Sequence, residues 1–167
     1  LEPAWDVTKG SDQVVVAVAD TGVAYEDFGT SFRRAPDLAN TKFVAGYDFI
    51  SGDTHPNDQN GHGTHVTGTI AQSTNNGVGV AGIAFNTAIM PVRVLDASGS
   101  GTVQTVSDGI VFAADNGAKV INLSLGSAFP SATLENAVAY AYGKGVTIVA
   151  SAGNDNGSVS YPAAYDS

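Results

Sequence analysis

Cysteine is absent from the 167 residues. That absence removes thiolate nucleophiles, cysteine-ligated zinc and disulfide frameworks together. Cationic residues are scarce: seven Lys and Arg stand against sixteen Asp and Glu, for a formal charge of −9. Such a chain lacks the basic patches that neutralise phosphate, so neither nucleic acid nor an anionic membrane surface is an expected partner. No apolar run approaches the roughly 20 residues of a membrane-spanning helix. The opening Leu1-Glu2-Pro3-Ala4-Trp5 has neither the basic nor the apolar region of a signal peptide, and reads as mature, processed material. Repeats, low-complexity tracts and linkers are lacking too. What remains is apolar enough, at 43% against 14% charged, to bury the core of one domain. The acid surplus reads chiefly as solubility, and secondarily as oxygen donors for cations.

The apolar residues are grouped in two periods. Val14 to Ala19 is a continuous β-branched and alanine run that suits a strand buried on both faces. Ala88 to Leu95, Val120 to Leu123 and Val146 to Ala150 are further strand candidates, with Pro91 a mark against the middle of the first of these. Between them, Val103, Val106, Ile110, Ala113 and Ala114 recur at helical spacing before Asn116-Gly117, and Leu134, Ala137, Val138 and Ala141 before Gly143. Strands alternating with helices predict an α/β fold, three layers α/β/α, with a mostly parallel sheet. Ligands bind such sheets beyond the carboxyl ends of the strands. There the sequence places Asp20-Thr21-Gly22, Ser124-Leu125-Gly126 and Ala152-Gly153-Asn154.

Asp20 ends the most hydrophobic run, so its carboxylate needs a partner to offset burial; an ordinary turn aspartate is the alternative. In Asn60-Gly61-His62-Gly63-Thr64-His65-Val66, two glycines clear the backbone around His62, and Val66 and Ile70 suggest a helix beginning near it. A buried carboxylate against one imidazole nitrogen would fix the tautomer and leave the other nitrogen as a base. His55, His62 and His65 also permit a zinc site, although no His-Glu-x-x-His pattern occurs. Asp20-Thr21-Gly22 matches an aspartic protease signature as well, but that chemistry needs two carboxylates and no second complete signature is present. Asn154 follows a strand and a glycine, where its amide can donate into a cleft or simply make a turn.

Ala19-Asp20-Thr21-Gly22-Val23, Gly61-His62-Gly63-Thr64-His65-Val66, Ser124-Leu125-Gly126 and Ala152-Gly153-Asn154, in this order, resemble the motifs of the subtilisin-like serine proteases. The resemblance covers nearly the whole chain and implies that residues 1–167 are the N-terminal portion of one catalytic domain. It implies that His62 is the general base, that Asp20 orients it, and that Asn154 donates to the oxyanion. Gly99-Ser100-Gly101 and Ser124-Leu125-Gly126 would flank an extended peptide or protein substrate as neighbouring strands, with Ser160 near the floor of the primary specificity pocket. Broad, mainly hydrophobic endopeptidase specificity, secretion and a propeptide come with the family.

The family's Gly-Thr-Ser-Met-Ala segment, which carries the nucleophile, is nowhere in the chain, and neither Ser100 nor Ser124 stands at a strand-to-helix turn. The expected partner is therefore the C-terminal remainder of the same protease, as a second chain of a nicked enzyme or lost from a truncated product. A peptide-binding pseudoprotease is the alternative function. Tyr25 to Arg34 are extra relative to the family pattern and read as a surface insertion. The resemblance also implies Ca²⁺. One site would use Asn76 and the carbonyls of Thr74, Val78 and Val80, with Asp37 supplying charge. A second would use Asp48, Asp53, Asn57 and the carbonyl of His55, with Ser51 where the family has a carboxylate; a solvated acidic turn is the alternative there.

Overall fold

The computed structural model describes residues 2–166; Leu1 and Ser167, at the ends of the expected domain span, lie outside the described residues. The elements run α1 (Glu2–Trp5), β1 (Val15–Asp20), a 3-10 turn (Pro36–Leu38), β2 (Tyr47–Asp48), α2 (His62–Ala71), β3 (Ala88–Arg93), α3 (Val103–Asp115), β4 (Val120–Leu123), α4 (Ala132–Gly143) and β5 (Thr147–Ala150). Among the described residues, five strands form one parallel sheet in the order β2-β3-β1-β4-β5.

β1 is central because its residues are apolar on both sides. Val16 and Val18 face Ile89, Ala71 and the α2 side chains Val66 and Ile70. Ala17 and Ala19 face the opposite core, built from Met90, Val92, Ile110, Ile121, Leu123 and Leu134 under α3 and α4. Helices therefore cover both faces, as an α/β/α sandwich requires.

Pro91 does not break β3, for a geometric reason. The amide and carbonyl of Ile89 pair with Lys42 and Val44. Pro91, two residues on, faces the same side, where β2 pairing resumes only at Val92. Its missing N–H thus falls in a gap of the ladder and costs no bond to β1.

Helix ends follow local chemistry. The Thr102 hydroxyl accepts from the Thr105 amide while the Thr105 hydroxyl accepts from the Thr102 amide, a capping box that starts α3. Val103, expected on the buried face, is exposed because it belongs to the first turn beside an open groove. α4 runs through Gly143, and the left-handed residue that ends it is Gly145 at φ 80°.

Candidate active site

Asp20 is the last residue of β1, and the chain crosses over β1 on its way from β3 to β4. The carboxyl end of β1 is therefore the crevice where the winding changes direction. Asp20 is fully buried. Its Oδ1 accepts from the Thr21 amide at 2.7 Å and meets His62 Nδ1 at 2.8 Å. A carboxylate only accepts, so the shared proton belongs to Nδ1 and Nε2 is left free. The imidazole is half exposed at 50%, which leaves it open to a reactant.

Gly63 makes this approach feasible. A Cβ there would overlap the Gly22 carbonyl oxygen and press on the Asp20 side chain. Any larger residue would push the first turn of α2 away from the strand.

The amides of that first turn are satisfied by side chains. Asn60 Oδ1 accepts from His62 N at 3.2 Å, Thr21 Oγ1 from Gly63 N at 3.0 Å, and Asp58 Oδ2 from Thr64 N at 3.0 Å. Asp58 accepts four more bonds, from the Thr21 and Thr64 hydroxyls and from the Asn60 and Gly61 amides, at 2.6–2.9 Å. Burial alone would raise its pKa. The donors from Gly61, Thr64 and Asn60 outweigh burial and hold the carboxyl below its usual range. Sequence reading missed Asp58. The signal available was an Asp three residues before a helix N-cap, too common to single out.

His62 borders a groove of about 590 Å³. Ser98–Thr102 and Ser124–Ser127 line it, with Val103, Val106, Leu134 and the Tyr161 ring. Gly99, Ser100, Gly101, Ser124, Leu125 and Gly126 are thus brought to one cleft with His62. Tyr161 was not anticipated; it is anchored by paired backbone bonds to Ser127 at 2.9 Å each. Ser160 sits behind the cleft, with its side chain against Gly126 and Gly153. Asn154 is exposed and does not line the groove.

The three histidines do not converge. His65 is exposed, and His55 Nδ1 meets Glu26 Oε1 at 2.9 Å. Among the described residues no group of three or more His, Cys, Asp or Glu is disposed to hold a metal ion.

The residues of the expected second cation cluster are engaged with one another and with their neighbours. Asp48 Oδ2 takes Arg93 Nη1 at 2.9 Å, and its Oδ1 takes the Ile50 and Ser51 amides. Both carboxylate oxygens are occupied, so Asp48 is the buried partner of an arginine. Asp53 Oδ1 accepts from the His55 amide, and the His55 carbonyl from the Asn57 amide. Glu26, in the segment Tyr25–Arg34, also accepts from Asn57 Nδ2, while Phe28 stacks on the His55 ring. Burial, which would raise the Glu26 pKa, is outweighed by these donors, and its carboxyl lies below the usual range. Asn57 Oδ1 is buried without a partner, so Asp48, held by Arg93, is the residue of this set committed elsewhere.

Asp37 differs. Its Oδ1 accepts from Asn76 Nδ2 at 2.7 Å, but its Oδ2 is buried with no partner. That oxygen points at Gly79, where a Cβ would overlap it. Asn75, Gly77 and Gly79 all have positive φ, curling residues 74–80 around the carboxylate.

Comparison with known proteins agrees with this geometry. The sequence profile described as the subtilase family matches residues 11–167. The chain is 52% identical to the thermophilic serine proteinase of Bacillus sp. strain AK1, over 98% of this chain and 39% of that protein. It is 48% identical to thermitase of Thermoactinomyces vulgaris, over 97% of this chain and 55% of that one. With subtilisin Savinase of Lederbergia lenta it shares 48% over 91% of this chain and 52% of the relative. The chain spans about half the length of these curated relatives or less. A parallel sheet with a buried aspartate at its central strand end, a half-exposed histidine on the helix against it, and a profile match over almost every residue together show that this chain belongs to the subtilase family.

Proposed function

We propose that the full-length protein is a serine endopeptidase whose nucleophile is supplied by the portion of the domain C-terminal to this chain. The observation that carries the reading is the 2.8 Å contact between His62 Nδ1 and the buried Asp20 carboxylate, with the rest of the imidazole facing the groove. In this reading His62 Nε2 takes the serine proton as the hydroxyl attacks the peptide carbonyl, then returns it to the leaving amine. Asp20 keeps the ring in one tautomer and stabilises the imidazolium. An extended peptide lies along Gly99-Ser100-Gly101 and Ser124-Leu125-Gly126, its apolar side chains meeting Val103, Val106 and Leu134.

The remainder has a natural seat. β5 is an edge strand among the described residues, and beside it α4, Val149, Pro162 and Tyr165 line a second, larger groove of about 1180 Å³. Val149 and Tyr142 are exposed there at 50% and 68%. Docking of the missing strands would cover them and bring the serine toward His62. Secretion and a propeptide belong to the same proposal and rest on the family alone. No helix among the described residues is long and apolar enough to cross a membrane.

The test is Asn154→Leu in the full-length protein. The amide would meet charge that develops only in the transition state, so kcat should fall about 10²–10³-fold with KM little changed, a magnitude carried over from subtilisin's own oxyanion donor. A raised KM with kcat intact would make Asn154 a substrate-binding residue. Absence of turnover in the unsubstituted full-length protein would leave a cleft that only binds peptides.

We also propose Ca²⁺ at the loop 74–80. The unpartnered Asp37 Oδ2 is the supporting observation. Asp37, Asn76 and the carbonyls of Thr74, Val78 and Val80 would hold the ion. Its charge would fasten the loop to the 3-10 turn. An ion that binds only the folded state stabilises it by mass action. Excess chelator should therefore lower the thermal midpoint of the parent and leave Asp37→Asn unaffected. Equal midpoints with and without chelator in the parent would remove the ion.

A further inference from the structure

We propose that Asp58 is a positioning residue that sets the geometry between Asp20 and His62. The inference rests on the protease reading for its kinetic arm only. Asp20 and His62 lie on different elements, and something must hold those elements in register to about half an ångström for the pair to work. Asp58 does so from both sides at once. Through Oδ1 it accepts from the hydroxyl of Thr21, the residue after Asp20, at 2.9 Å. Through Oδ2 it accepts from the Thr64 amide and hydroxyl, two residues beyond His62, at 3.0 and 2.6 Å.

The Thr21 hydroxyl has one proton, and it is donated to Asp58. A lone pair is thereby aimed at Gly63 N, which donates to it at 3.0 Å. The carboxylate thus orients the one hydroxyl that joins the end of β1 to the first turn of α2. The Thr64 hydroxyl, donating likewise to Asp58, accepts from the Ala24 amide at 2.9 Å and makes a second tie to the segment after β1. Neither tie survives unchanged without an acceptor that takes five donors and offers none. Asparagine cannot replace it, because its amide nitrogen would face N–H or O–H donors on either side. A negative charge at the start of α2 is also favoured by the helix dipole. The low pKa of the carboxyl keeps it an acceptor in neutral solution.

The test is Asp58→Asn in the full-length protein, read by steady-state kinetics normalised to titrated active sites and by NMR of the His62 Nδ1 proton. A misplacement of the pair predicts a fall in kcat of about 10–100-fold with KM little changed, and a shifted or lost Nδ1 proton signal. Thr64→Val, which keeps the shape while removing one donor to Asp58 and the acceptor for the Ala24 amide, should show both effects in weaker form and serves if Asp58→Asn does not fold. Unchanged kcat per active site together with an unchanged Nδ1 signal in the folded variant overturns the inference and gives Asp58 a purely structural role. If the unsubstituted protein turns nothing over, the protease reading fails; the NMR comparison then decides this inference by itself.

Discussion

Replacing His62 by alanine in the full-length protein should lower kcat by about 10⁴-fold or more, since in the proposed reaction one imidazole serves as base in one half and as acid in the other. The fold should tolerate the change. The ring is half exposed, its one side-chain bond goes to Asp20, and the helix it begins is held by Asn60, Thr21 and Asp58. Removing the ring does leave Asp20 buried without its partner, so some stability is lost as well. The measurement is kcat at a matched melting temperature, with His65→Ala as control. His65 lies three residues on and is exposed. If His65→Ala abolished turnover in a folded protein and His62→Ala did not, the base would be His65 and the Asp20 contact would be incidental.

The second large effect is on stability. Arg93→Met should destabilise the protein by about 3–5 kcal/mol, because it strands the Asp48 carboxylate in the core. Both side chains are nearly inaccessible, at 4% and 2%. Arg93 also donates to Gln59 Oε1 at 2.8 Å, so a second polar group loses its partner. Replacing both members, as Asp48→Leu with Arg93→Met, should recover part of the loss. It will not recover all of it, since Asp48 Oδ1 also receives the Ile50 and Ser51 amides. Urea unfolding of the two variants checks this. A single variant within about 1 kcal/mol of the parent would mean that water or a counter-ion reaches Asp48.

These residues also mark what a sequence can disclose. β1 was legible because a strand covered on both faces must be apolar throughout, and Val15–Ala19 meets that condition. Asp20 and His62 were legible because a carboxylate after such a run and a histidine between glycines are each unusual. The ion pair of Asp48 was not. Its partner lies 45 positions away on the neighbouring strand, and no local pattern separates an aspartate facing arginine from one facing a cation. Asp58 was hidden for the same reason, since its bond to Thr21 spans 37 positions. Tyr25–Arg34 was read as a surface loop, but the grip of Glu26 on His55 and Asn57 depends on how that loop folds back. Pairings that depend on tertiary closure leave no periodicity behind.

The parallel sheet has a consequence for the order of events in folding. No hairpin joins any two of its strands, so each pairing must wait for a crossover to close. The demand is greatest on β1, whose Val15 pairs with Ala88 and whose Val16 pairs with Val120. Sheets built from such distant partners form slowly, because loop entropy is spent before the contacts repay it. β1 precedes both of its partners in the chain and stays unpaired until β3 and β4 follow. The end of β1 carries Asp20, so its carboxylate stays solvated until those partners dock. The contact between Asp20 and His62, 42 positions apart, closes a shorter loop than either pairing of β1, yet the aspartate is shielded from water only when β3 and β4 flank the strand that carries it.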